Sequence, residues 1–86
     1  MDAAKGRLMT HRETALSVIA RITGVDRGTI TTEMELVADL GLDSAKAFEL
    51  LVELEDRIGI EIDDDQAARL NTVGDIVAYV DRATAG

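Results

Sequence analysis

One serine stands where its hydroxyl could take part in chemistry. Ser44 follows Asp39-Leu40-Gly41-Leu42-Asp43 and opens a strongly periodic run, Ala45 to Ile58, which Gly59 closes. A hydroxyl at the mouth of a helix ordinarily acts as a cap, its oxygen accepting a free backbone N–H of the first turn. The chain gives this serine no catalytic company. Its single histidine, His11, falls in the first turn of a different predicted helix and reads as a surface residue, and there is no cysteine. A Ser/His/Asp set, a thiol nucleophile, a thiolate metal site and a disulfide framework are all excluded on those grounds. Asp63-Asp64-Asp65 invites comparison with a calcium loop. The alternating oxygen ligands, central glycine and distal glutamate of such a loop do not follow, so no metal site is read there. Those acids suit the start of a short helix, where negative charge meets the positive end of the dipole.

The bulk properties narrow the field further. A chain of 86 residues makes one domain with one modest core, burying only about 60–65% of its unfolded surface. With one Phe, one Tyr and no Trp, that core must be aliphatic. A net charge of −8 argues against nucleic acid, which needs clustered Lys and Arg, and against anionic membrane surfaces. It favours partners with basic patches, met through long-range attraction. No apolar stretch reaches the length of a membrane span and no signal-peptide pattern opens the chain, so a cytoplasmic location is expected.

Four helical segments must position Ser44. Residues 1–9 read as a flexible leader, residues 10–83 as the domain, and 84–86 as a frayed end. Thr10 and Glu13 fit a capping box for a first helix over about 11–23, with Ala15, Ile19 and Ile22 inward and Gly24 as the stop. Residues 25–43 have weak periodicity and read as a long loop pinned by Val25, Ile30, Met34, Leu36 and Leu40, with a short helical turn near Glu33 to Ala38. A strand here would lack a partner.

In the helix after Ser44, Ala47, Leu50, Leu51, Leu54 and Ile58 form the core face. Ala45, Phe48 and Val52 lie on a neighbouring stripe flanked by Glu49, Glu55 and Asp56. Ile60-Glu61-Ile62 is a linker with buried isoleucines, Asp65 to Leu70 a short helix, and Val73 to Ala83 a last helix capped by Asn71-Thr72. Val73, Ile76, Val77 and Val80 face inward there, and Tyr79 is expected to keep its hydroxyl in water.

Leu40-Gly41-Leu42-Asp43-Ser44 ahead of an acidic amphipathic helix, in an acidic chain of this size, resembles the acyl carrier protein family. The resemblance runs from about Thr10 to Asp81 without an internal gap. It implies an all-α, four-helix bundle of three longer helices and one short one, with the long loop between the first two. It also implies that Ser44 carries a covalent 4′-phosphopantetheine arm derived from coenzyme A, and that Asp43 is recognised by the phosphopantetheinyl transferase that attaches it. Ala45, Phe48, Glu49, Val52, Glu55 and Asp56 match the strip that meets partner enzymes, such as acyltransferases, ketosynthases or ligases with basic docking patches. Leu50, Leu54, Ile62, Ala67 and Leu70 match positions lining an acyl pocket or supporting partner contact. By this resemblance the protein is a monomeric carrier and not an enzyme.

The chain departs from the family pattern at two positions. Ala45 stands where the family usually has Leu, and Lys46 where an acid or neutral residue is common. Both lie in the first turn that partners read, and they favour a dedicated carrier in a polyketide or related specialised pathway over a fatty-acid-synthesis carrier. A peptidyl carrier fits less well, because that branch usually has Gly or His in place of Leu42 and Asp43. The rival from another class is an acidic interaction module without a prosthetic group. It accounts for the charge and the helices but leaves Gly41-Leu42-Asp43-Ser44 unexplained.

Overall fold

Thr10 begins the part of the chain, residues 10–85, that the computed structural model describes; the expected leader over 1–9 and the terminal Gly86 lie outside the described residues. Its hydroxyl accepts the Glu13 N–H at 3.0 Å while the Glu13 carboxylate accepts the Thr10 N–H at 2.9 Å. This reciprocal pair starts α1 (His11–Thr23), and Gly24, at φ 76°, stops it by donating to the Ala20 carbonyl. The remaining helices are α2 (Ser44–Ile58), α3 (Asp64–Ala67) and α4 (Val73–Thr84). Both α2 and α4 pack on α1, which is why Ala15, Val18 and Ile19 are buried almost completely.

The core is aliphatic throughout. Leu50 and Leu54 enter it from α2, Val73, Ile76, Val77 and Val80 from α4, and Ile60 and Ile62 from the linker. Burial of such side chains contributes about 1.5–3 kcal/mol each. Glu53 pairs across the α1/α2 seam with Arg21 at 3.0 Å and along α2 with Arg57 at 2.9 Å, all at the solvent edge. The Arg57 hydrogen bond is the main reason its carboxyl is held below the ordinary glutamate value.

The α1–α2 loop departs from expectation in its details. Its one assigned helical segment is a single 3₁₀ turn at Arg27–Thr29, while the turn expected near Glu33 to Ala38 is present slightly later, as a bonded turn in which Asp39 donates to the Glu35 carbonyl and Gly41 to that of Val37. Residues 33–38 are also stitched onto the start of α4, Leu36 donating to the Asn71 carbonyl at 2.9 Å and Val73 to the Met34 carbonyl at 3.0 Å. Glu35 and Thr72 form an isolated antiparallel bridge, so an extended residue in this loop does find a partner, at a helix entrance and not on another strand. The approach is close. A methyl group on Gly74 would stand 3.0 Å from the Thr32 carbonyl oxygen, which accepts the Gly74 N–H at 2.9 Å.

Three further boundaries shift. Asp63, accepting the Gln66 N–H at 2.8 Å, starts α3 one residue earlier than expected, and the helix ends at Ala67 because Arg69 and Leu70 bond back in tighter turns. The last helix continues to Thr84 within the region expected to fray, its hydroxyl donating to the Val80 carbonyl. The Tyr79 hydroxyl, at the surface, also donates to the Glu61 carbonyl at 2.6 Å, tying α4 to the linker.

Candidate functional site

The segment before Ser44 is wound tightly. Asp39 and Leu40 donate to the Glu35 carbonyl, Gly41 to Val37 and Leu42 to Leu36, while the Asp39 carboxylate accepts the Glu35 N–H at 2.7 Å. Leu36, Leu40 and Leu42 are buried, and Gly41 between the last two adopts φ 70°, a left-handed conformation that costs other residues roughly 1–2 kcal/mol. Two buried leucines therefore clamp an exposed turn, and the next residues, Asp43 and Ser44, emerge into solvent.

The cap of α2 is Asp43 and not Ser44. The Asp43 carbonyl accepts the Ala47 N–H at 2.8 Å as the first helical bond, and its Oδ1 accepts the Lys46 N–H at 2.8 Å. Ser44 is the first helical residue. Its hydroxyl is exposed and makes no hydrogen bond among the described residues. The signal for this was present, since Asp caps as well as Ser and stands one position earlier. A phosphate ester at Ser44 would fit here: the oxygen faces water, and the N–H groups of Ser44 and Ala45 lack acceptors among the described residues.

The expected partner strip is only partly a surface of free groups. Ala45, Phe48, Glu49, Val52 and Asp56 are exposed, Phe48 at 70% and Val52 at 45%. Glu55 is different. It is half-buried and its Oε2 accepts the Ile62 N–H at 2.8 Å, which turns it toward the linker. Val37, 71% exposed in the turn before Ser44, adds apolar surface that the sequence reading did not include. Leu36 and Val37 are adjacent in a tight turn, so one of them had to face outward.

Behind Ser44 lies a cavity of about 50 Å³ lined by Leu36, Leu42, Ala47, Leu50, Leu51, Ala67, Leu70 and Ile76. Leu50, Ala67 and Leu70 were expected to line a pocket. Leu54 and Ile62 do not line this one: Leu54 is fully buried, and Ile62 borders an open groove with Glu55, Ile60, Glu61 and Asp63. At this volume the space holds a few atoms at most. Among the described residues no group of His, Asp and Glu could hold a metal ion, and no helix is long and apolar enough to cross a membrane.

The described residues thus form a helical bundle with an exposed hydroxyl at a helix start, an exposed apolar strip on the same helix, and acids there that make no ion pair among the described residues. Comparison with known proteins gives the family. The family model described as "Phosphopantetheine attachment site" matches residues 13–80. The chain is 45% identical over 65 residues to the acyl carrier protein of Helicobacter pylori strain G27, covering 76% of this chain and 83% of that one. Among solved structures, a candidate acyl carrier protein from Mycobacterium tuberculosis superposes with a TM-score of 0.76 at 44% identity, covering 83% of this chain and 95% of that one. The acyl carrier protein of Enterococcus faecalis gives 0.70 at 32% identity, covering 85% and 98%. The chain belongs to the acyl carrier protein family. It is a carrier, not an enzyme, and its cofactor is 4′-phosphopantetheine.

Proposed function

We propose that Ser44 is the attachment point of the arm and that residues 10–83 act as a carrier domain for a dedicated partner set. The observation that carries this reading is the state of the Ser44 hydroxyl: exposed, on the first residue of α2, and relieved of capping by Asp43. The arm supplies a terminal thiol for thioester chemistry, which a chain with no cysteine cannot supply itself. The chain's own residues hold the hydroxyl in place and offer Ala45, Phe48 and Val52, with Glu49 and Asp56 beside them, to a basic and partly apolar docking groove. Acyl transfer, condensing and ligase enzymes are the partner classes this face suits.

The finer assignment, to a polyketide or related specialised pathway, rests on Ala45 and Lys46. A methyl group gives the first turn little to bury in a partner, and Lys46 sets a cation among the acids of α2. A partner matched to a uniformly acidic face would be repelled there. The alternative is a fatty-acid-synthesis carrier; the Helicobacter relative, named simply as an acyl carrier protein, favours neither.

Incubation with coenzyme A and a promiscuous phosphopantetheinyl transferase, followed by intact mass measurement, tests the attachment. The wild type should gain one phosphopantetheine group and Ser44→Ala none. No gain on the wild type would leave the interaction-module reading in its place.

A further inference from the structure

Away from Ser44 and the exposed strip, the seam between α1 and α2 opens into a groove of about 280 Å³ lined by Thr14, Ser17, Val18, Arg21 and Arg57. It is far roomier than the apolar cavity of about 50 Å³ behind Ser44, and four of its five lining residues end in polar groups, none of them an acid. Arg57 stands near the far end of α2, roughly 20 Å along the helix from Ser44 at about 1.5 Å per residue. We infer that this groove is a binding site for a small phosphate-type oxyanion, either inorganic phosphate or the phosphoryl group of a small phosphomonoester. It goes beyond the carrier reading and does not depend on attachment of an arm.

Helical spacing brings the donors together. Thr14, Ser17, Val18 and Arg21 follow i, i+3, i+4, i+7 and share one face of α1, and Arg57 closes the groove from α2. One carboxylate oxygen ties the two arginines: Glu53 Oε1 lies 3.0 Å from a terminal nitrogen of Arg21 and accepts from Arg57 Nε at 2.9 Å. A guanidinium presents five N–H donors in a fixed fork that matches phosphate oxygens two at a time, so each arginine keeps most of its donors for a further acceptor. Glu53 itself does not line the groove. Two cations on one carboxylate leave positive charge in excess, in a chain with nine Lys and Arg against seventeen Asp and Glu.

The hydroxyls complete the set. Thr14 and Ser17 are half-buried, and neither hydroxyl makes a hydrogen bond among the described residues. Helical hydroxyls often turn back to the carbonyl four residues earlier, as Thr23 and Thr84 do toward Ile19 and Val80; those of Thr14 and Ser17 are left for a ligand. Glu13, one turn before Ser17, is engaged at the helix start, its carboxylate accepting the Thr10 N–H at 2.9 Å, and does not line the groove. With about 30 Å³ as one water's share of liquid volume, the groove has space for a phosphoryl group and a small polar body joined to it. The net charge of −8 opposes an anion at long range, so affinity rests on these short charge-assisted contacts and falls on the order of millimolar.

The test titrates the full chain, without an arm, with inorganic phosphate and separately with glycerol 3-phosphate. Ionic strength is held fixed with chloride, and NMR follows the backbone amides and the arginine Nε–H signals. Saturable shifts centred on Thr14, Ser17, Arg21 and Arg57 are expected. Arg21→Gln and Arg57→Gln, both at exposed side chains, should each weaken binding about tenfold or more while the amide spectrum stays that of the folded chain. Arg69→Gln, which removes an exposed cation outside the groove, should leave binding unchanged. Equal affinity for the two ligands assigns the site to phosphate itself, and tighter binding of glycerol 3-phosphate assigns it to a phosphomonoester. Shifts that never saturate or spread over the whole surface would overturn the proposal, as would equal losses in all three variants. A neutral phosphoserine peptide that binds more tightly than both small ligands would overturn the small-molecule assignment. No transferase enters the measurement, so its failure leaves the reading of Ser44 untouched.

Discussion

Glu55 Oε2 accepts the backbone N–H of Ile62 at 2.8 Å, joining the last turn of α2 to the linker that leads into α3. The bond spans the turn at Gly59 and holds Ile60 and Ile62 where both are buried. Glu55 is thus a structural acid on an edge otherwise read as a docking face. Glu55→Ala leaves a partly buried N–H without its partner, and such groups cost roughly 1–3 kcal/mol when orphaned. We expect a loss near the lower bound in urea unfolding, and near-wild-type stability for Glu55→Gln, whose amide oxygen still accepts.

The exposed acids of α2 behave differently. Glu49 and Asp56 are exposed, make no ion pair among the described residues and flank the apolar strip, whereas Glu53 is held by Arg21 and Arg57. Glu49→Lys combined with Asp56→Lys should slow association with a basic-patched phosphopantetheinyl transferase several-fold at low salt, while the melting temperature stays unchanged. Rim charges act mainly on the encounter rate, and the difference should shrink within the Debye screening of about 0.15 M salt. Stopped-flow association at two ionic strengths checks this.

Much of this was legible because periodicity and caps are local. Thr10 with Glu13, Gly24, Gly59 and Thr72 mark helix ends through bonds within a few residues, and Leu50 and Leu54 declare the buried face of α2 by spacing alone. What escaped the sequence depends on contacts far along the chain. Met34, Leu36 and Thr32 bond to residues 71–74, and no local pattern announces that the loop closes onto the entrance of α4. The choice between Asp43 and Ser44 for the cap is local, yet propensity ranks the two alike, so spacing alone did not show that Asp43 takes it. The cavity escaped for a third reason: Leu36, Leu42 and Ile76 reach it from three segments, while Leu54, on the same face of α2 as Leu50, lies fully inside the core.

Asp75 sets the acid limit of the α4 entrance. Its carboxyl lies below the ordinary aspartate value, first because it accepts the Asn71 N–H and then because it accepts the Thr72 N–H. A carboxyl lowered in the folded state contributes stability that is present above its unfolded value, 3.8, and lost as pH falls through the lower folded value. Glu53, also lowered, acts in the same direction. Stability should therefore decline as pH falls below about 4. Asp75→Asn should flatten that decline and lower stability near neutral pH, as followed by thermal melts across pH 3 to 7.

The inward face of α2 gives a test of packing against position. Leu54 is fully buried and Leu51, on the neighbouring edge, is half-buried beside the cavity. Leu54→Ala removes side-chain volume from a site enclosed by the core, and such truncations cost about 2–5 kcal/mol. Leu51→Ala enlarges a cavity that already exists and lies partly open, so its cost should fall at or below the bottom of that range. The two variants then differ in a second way. Leu51→Ala should widen the space among Ala47, Leu70 and Ile76 and slow hydrolysis of a medium-chain thioester on the loaded carrier, by giving the chain somewhere to enter. Leu54→Ala should lower the melting point without that protection. Equal melting losses in the two variants would mean that the cavity edge is as firmly packed as the core.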